Sequence, residues 1–92
     1  MAERRLIRLY VSGVTPRSAR AIQSIKAICE ERLPGRYELE VIDVYQQGHR
    51  AGRDGVLATP TLIQRTERSV RRLVGNLSDR KRVLAALGLA SR

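Results

Sequence analysis

An α/β fold is what this sequence predicts, built in the order strand, helix, strand, polar loop, two short strands and a closing helix. Three observations predict it. Leu6–Val11 and Tyr37–Val44 alternate with a period of two, and the chain between them places apolar residues at helical spacing. Thr59-Pro60 divides the run Val56–Ile63, V-L-A-T-P-T-L-I, into two apolar parts. Proline has no N–H to give to a sheet, so it belongs at the entrance of a strand, here Thr61–Gln64, and not within one.

In Leu6–Val11, the residues Ile7, Leu9 and Val11 share one face, and Leu6, Arg8 and Tyr10 the other. Even the mixed face is largely apolar, which predicts a central strand. Ser12-Gly13-Val14 turns the chain, and Thr15 as N-cap with Pro16 at the first helical position starts a helix. Ile22, Ile25, Cys29 and Leu33, widened by Ala21 and Ile28, form its apolar stripe, and Pro34-Gly35 ends it. In the next strand Tyr37, Leu39 and Val41 face away from Glu38, Glu40 and Ile42; the two glutamates predict a half-exposed strand and suit the guarding of a sheet edge. Gln46–Gly55 is polar, carries Gly48, Gly52 and Gly55, and reads as loop with at most a short helix around Arg50–Asp54. Thr61–Gln64 and Val70–Val74 are joined by the charged Arg65–Ser69 as a hairpin, and a regular Val70–Val74 would send Arg71 and Arg72 to opposite faces. Gly75-Asn76 breaks that strand. Ser78 or Asn76 is the expected cap of the last helix, with Asp79 in its first turn and Val83, Leu84 and Leu87 as its stripe. This order, βαβαββα, is that of a thioredoxin-like domain, in which a cis-proline opens the third strand and the second strand lies at an edge.

Ninety-two residues make one domain with room for a core. The single cysteine, Cys29, excludes a disulfide framework within the chain, and with His49 as the only histidine neither a metal nor a cofactor is expected. Met1–Arg5 is charged and Arg8 interrupts the first apolar run, so no secretory signal is read, and no run approaches the ~18 residues of a membrane span. A cytoplasmic protein without a membrane partner is the expectation. The net charge of +9 is almost wholly arginine, with only Lys26 and Lys81 as lysines, which invites an acidic or phosphate-bearing partner. Three tyrosines without Phe or Trp leave too few rings to stack bases, so nucleic acid is not expected. In a thioredoxin-fold redox enzyme a C-x-x-C pair occupies the turn where this chain has Gly13-Val14-Thr15-Pro16. Without a thiolate there, dithiol exchange has no nucleophile, and Cys29 falls on the core-facing stripe of the helix. A binding module is expected, not an enzyme.

Four separated motifs carry a family resemblance. Leu9-Tyr10-Val11-x-Gly13-x-Thr15-Pro16-x-Ser18-x-Arg20-Ala21 is followed by Tyr37-x-Leu39-x-Val41-Ile42-Asp43-Val44. Leu57-Ala58-Thr59-Pro60-Thr61-Leu62 and Val70-Arg71-Arg72-x-x-Gly75-x-Leu77-Ser78-Asp79-Arg80 come next. In this order, over residues 6–87, they resemble the KaiB family of circadian oscillator proteins. The resemblance implies a non-enzymatic clock or timer component that binds the ATPase ring of KaiC and modulates its phosphorylation cycle. KaiA or a histidine kinase would be further partners where the host has them. It also implies two folds of one sequence: a thioredoxin-like monomer that binds partners, and a ground state of order βαββααβ that forms homodimers or homotetramers. Residues 6–43 would be constant and 44–92 would re-pair. Short apolar runs, no aromatic after Tyr45, and five glycines from Gly48 to Gly88 leave the second half weakly committed. Residue by residue, Arg20, Arg71 and Arg72 match basic positions of the KaiC partnership, and Tyr37, Leu39 and Val41 match the edge that pairs with KaiA or kinase domains. Pro60, Gly75 and Asn76 fall at structural or switch positions.

The departures from the family pattern lie in the second half. Thr66-Glu67-Arg68-Ser69 stands where cyanobacterial members have a proline-rich link, Gln47-Gly48 where Asn-Pro is common, Gly55 where lysine is usual, and Asn76 where aspartate is. With the arginine richness they imply a divergent, non-cyanobacterial homologue. The alternative is a thioredoxin-fold binding or stress-sensor domain without a KaiC partner.

Overall fold

The computed structural model describes residues 4–89. Its elements are β1 (Arg5–Val11), α1 (Pro16–Arg32), β2 (Tyr37–Asp43), α2 (Gly48–Arg53), β3 (Thr61–Arg65), β4 (Val70–Val74) and α3 (Arg80–Ala86). The strands form one sheet in the order β2-β1-β3-β4, with β1 parallel to β2 and antiparallel to β3, and β4 antiparallel to β3. β1 is central because both of its faces are apolar enough to be covered: Ile7 and Leu9 are buried on one, Tyr10 on the other.

α1 starts where the Thr15 hydroxyl accepts a hydrogen bond from the Ser18 N–H at 3.0 Å and Pro16 occupies the first turn. Its stripe of Ala21, Ile25, Ile28 and Cys29 meets Ile7, Leu9, Val11 and Leu62 of the sheet, while Leu77, Val83 and Leu87 close the same layer from α3 and its flanks. Each fully buried Ile or Leu there stabilises the fold by roughly 1.5–3 kcal/mol. Gly35, at φ 72°, turns the chain into β2.

The other face holds a smaller cluster of Tyr10, Ile42, Ala51 and Ile63 beneath α2. α2 begins earlier than the short helix around Arg50–Asp54 that the glycine-rich sequence allows, and the reason is tertiary. Its C-cap residue, Asp54, is buried and accepts hydrogen bonds from Tyr10 at 2.5 Å, Arg8 at 3.0 Å and Arg65 at 3.3 Å. Those long-range bonds offset the ~1 kcal/mol that a glycine such as Gly48 or Gly52 costs within a helix.

Asp79, and neither Ser78 nor Asn76, caps α3; its carboxylate accepts from the Arg82 N–H at 3.3 Å. Asn76 instead accepts from the Ser78 N–H at 3.0 Å and folds the turn that buries Leu77. The Thr59-Pro60 peptide bond is cis, at the entrance of β3.

Candidate functional site

At the end of the sheet where β1 gives way to α1, Gly13 takes φ 69°, and its N–H donates to Asp43 Oδ1 at 3.1 Å. The same oxygen accepts from the Tyr45 N–H at 2.9 Å, which sets the Tyr45 ring 3.4 Å from where a Cβ on Gly13 would stand. Beside this turn a cavity of about 280 Å³ is lined by hydroxyls, the Arg17 side chain, Tyr45 and Pro60, and Ser12 and Thr59 share a hydrogen bond across it. The turn that carries the C-x-x-C pair in a redox enzyme therefore presents no thiol here. Cys29 is buried on the sheet-facing side of α1, near its C-terminal end, where burial pushes its thiol up to about 11, with the charge of Glu30 acting in the same direction. A thiol of that kind is a core hydrophobe, not a nucleophile.

β2 is an outer strand, as its glutamates predict. Tyr37 and Leu39 are half-buried against the α1 layer and Val41 is exposed. The Tyr37 hydroxyl donates to Glu30 of α1, and this bond, with some burial, lifts its phenol to about 12. On the opposite face Glu40 accepts from both Arg50 nitrogens, at 2.5 and 2.7 Å, and lies 3.7 Å from Arg8. Glu38 lies 3.8 Å from Arg4. Glu40 is thus part of what holds α2, as well as a charge at the strand's edge.

The three arginines singled out by the sequence do not form one patch. Arg20 projects from α1 and is exposed. Arg71 and Arg72 leave β4 on opposite faces, as the period of a strand requires. Arg71 runs over Gly88, its guanidinium carbon 3.4 Å from the position of a Cβ there. Arg72 turns to the α2 side, where it donates to the Asp54 carbonyl at 2.5 Å and the Gly55 carbonyl at 3.3 Å. Gly75, at φ 110°, ends β4, and Asn76 shapes the turn beyond it.

Sequence reasoning missed the charged cluster under α2. Burial pushes the Asp54 carboxyl up, but the hydrogen bonds from Tyr10 and Arg8 and the charges of Arg8 and Arg65 outweigh it and hold the pKa below the usual carboxylate value. Tyr10 is pushed up by burial and by its bond to Asp54. The available signal was the mixed face of β1, where Arg8 and Tyr10 project toward the α2 side and therefore need a polar partner there.

A sheet of order β2-β1-β3-β4, helices on both faces and a cis-proline opening β3 define a thioredoxin-like domain, here without the cysteine pair of a redox enzyme. Solved structures agree: the N-terminal domain of Synechococcus elongatus SasA aligns with a TM-score of 0.76 at 24% identity, covering 100% of this chain and 90% of that domain. Fasciola hepatica thioredoxin aligns with a TM-score of 0.76 at 17% identity, covering 96% of this chain and 82% of that one. The KaiB domain model matches residues 8–89. The circadian clock oscillator protein KaiB of Prochlorococcus marinus subsp. pastoris is 48% identical over 84 residues, 91% of this chain and 78% of that protein. The protein of the same name from Microcystis aeruginosa is 46% identical over 91% of this chain and 81% of its own length. This chain belongs to the KaiB family.

Proposed function

We propose that this chain is a non-enzymatic clock or timer component that binds a KaiC-type ATPase ring and modulates its phosphorylation cycle. The observation that carries the reading is the pairing of KaiB-family sequence with a thioredoxin-like fold whose redox turn has no thiol and whose outer strands are open. In this reading Arg20, Arg71 and Arg72, although they lie on different faces here, supply the basic contacts to the ring, and β2, through Tyr37, Leu39 and Val41, accepts a strand from KaiA or a histidine kinase where the host has one. Among the described residues no helix is long and apolar enough to cross a membrane, and the working compartment is taken as the cytoplasm.

The thioredoxin-like fold is the partner-binding state of this proposal. A second fold, in which residues 44–92 re-pair around the constant half 6–43 and the chain forms homodimers or homotetramers, is its reservoir. Pro60, Gly75 and Asn76 lie in the re-pairing half, at the entrance of β3 and the exit of β4. Concentration-dependent doubling of NMR peaks from residues 44–92 is the expected sign; a single set at every concentration overturns the switch.

Co-elution of the purified chain with a KaiC ring in ATP and ADP tests the partnership. Binding in at least one nucleotide state is expected, falling with salt and on charge reversal at Arg20; no binding in any state overturns it. Insulin reduction by the chain would overturn the non-enzymatic reading in favour of a redox domain.

A further inference from the structure

The sheet has a second open edge. In the β3–β4 ladder the Gly75 N–H donates to the Pro60 carbonyl at 3.1 Å and the Thr66 N–H to the Ser69 carbonyl at 2.9 Å. Antiparallel pairs alternate between hydrogen-bonded and open positions, and Leu62 stands opposite Leu73 and Gln64 opposite Arg71. The backbone groups of Leu73 and Arg71 are therefore turned to β3, while those of Val70, Arg72 and Val74 are turned outward. One of these outward groups, the Val74 carbonyl, accepts from Arg82 at 3.3 Å, and among the described residues no strand lies beyond β4.

We propose that this β4 edge binds an extended acidic segment of a partner protein, which adds a fifth strand to the sheet. The chemistry of the edge specifies its occupant. Val70 and Val74, 55% and 45% exposed, flank Arg72 on the α2 face, while Arg71 stands on the other face. An incoming strand that pairs antiparallel thus meets exposed valines and two consecutive arginines, Arg71, which lies over Gly88 on one face, and Arg72, which donates to the Asp54 and Gly55 carbonyls on the other and keeps its full charge. Its complement is a pair of consecutive acidic residues between β-branched apolar ones, because cross-strand opposite charges and apolar pairs both stabilise a ladder.

A second copy of the chain is a poor occupant. β4 against β4 would set arginines beside arginines, and the acidic edge strand, β2, already gives Glu40 to Arg50 and Arg8. Nucleic acid would meet the two cations but leave the outward backbone groups and the valines without partners. The inference goes beyond the clock reading, since it rests on the edge alone and names no ring; a KaiC experiment and this one can fail separately.

The probe is a synthetic peptide of about seven residues with the core Val-Glu-Asp-Val. It is titrated into the full chain with hydrogen exchange read residue by residue by NMR. The expected result is slowed exchange at the outward amides of Val70 and Arg72, with those of Leu73 and Arg71, already paired to β3, unchanged. Arg71→Glu should weaken binding on the order of tenfold, and the same peptide with Lys-Lys at its centre should not bind. Val70→Pro removes an outward donor at the first position of the strand, where proline is tolerated, and should abolish protection at Arg72 while the fold is retained. Three outcomes would overturn the proposal. They are protection at β2 or nowhere, equal protection by a single-stranded oligonucleotide, and concentration-dependent self-association that protects the same amides without peptide.

Discussion

On one side of the sheet Ile7, Leu9, Val11 and Leu62 meet the stripes of α1 and α3 in a layer that is apolar except at its margin, where buried Gln64 accepts from Arg5 at 2.9 Å. On the other side Tyr10, Ile42, Ala51 and Ile63 surround a carboxylate, and the six-residue α2 buries only Ala51 of its own. The first layer is held by non-directional burial over 17 residues of helix, so its stability is spread across many contacts. The second is held by directional bonds that converge on Asp54 and Glu40. One side of the same sheet should therefore open only with the whole molecule, and the other should open alone.

The largest expected effect tests the first half of that contrast. Leu9 is fully buried in the central strand, so Leu9→Ala should destabilise the fold by about 3–5 kcal/mol, a large share of the ~5–15 kcal/mol typical of a domain. Chemical denaturation should show a single lowered midpoint, with α1 amides losing protection while α2 amides, which exchange by their own local opening, change little. If α2 alone responds, the layers are not arranged as argued.

Asp54→Asn attacks the other side. Replacing the carboxylate strips charge from three hydrogen bonds at a buried position and should cost on the order of 2–3 kcal/mol. The decisive readout is where the cost falls: exchange in Gly48–Arg53 should quicken well before exchange in α1. Acid repeats the experiment without a mutation. Folding lowers the Asp54 pKa, so its contribution is complete above the unfolded value of about 3.9 and is lost as pH falls through the folded one. Glu40, held low mainly by its hydrogen bond to Arg50, acts in the same direction. Stability measured by urea should fall as pH drops below about 4, and less steeply in Asp54→Asn.

The same contrast explains what the sequence could show. The α1 layer was legible because its causes are local: Thr15 and Pro16 begin the helix within one turn, and the alternation of Ile7, Leu9 and Val11 marks a face. α2 was legible only as at most a short helix around Arg50–Asp54, because Gly48 and Gly52 argue locally for a loop, while the residues that hold it, Arg8 and Tyr10, lie 46 and 44 positions from Asp54. For the candidate surfaces, the period of a strand was enough to send Arg71 and Arg72 to opposite faces. It could not show that Arg72 spends two of its nitrogens on the Asp54 and Gly55 carbonyls, since that depends on where α2 ends. Nor could alternation alone distinguish a capping Asp79 from Ser78 one residue earlier, because both are good caps and the burial of Leu77 decides between them.

The finest test uses two substitutions of nearly equal size. Thr15→Ala removes the α1 cap and Ala51→Gly loosens α2, and each should cost about 1 kcal/mol. Equal losses in a cooperative unit would look alike. Here they should not. Thr15→Ala should lower the global midpoint and the protection of every core amide by a similar factor, because α1 cannot leave without exposing the central strand. Ala51→Gly should leave the midpoint nearly unchanged while amides of Gly48–Arg53 exchange roughly fivefold faster, because a short helix tied by Asp54 can detach while the α1 layer stays packed. Should both variants shift the midpoint equally and spare α2 exchange, the two faces of the sheet form one cooperative unit.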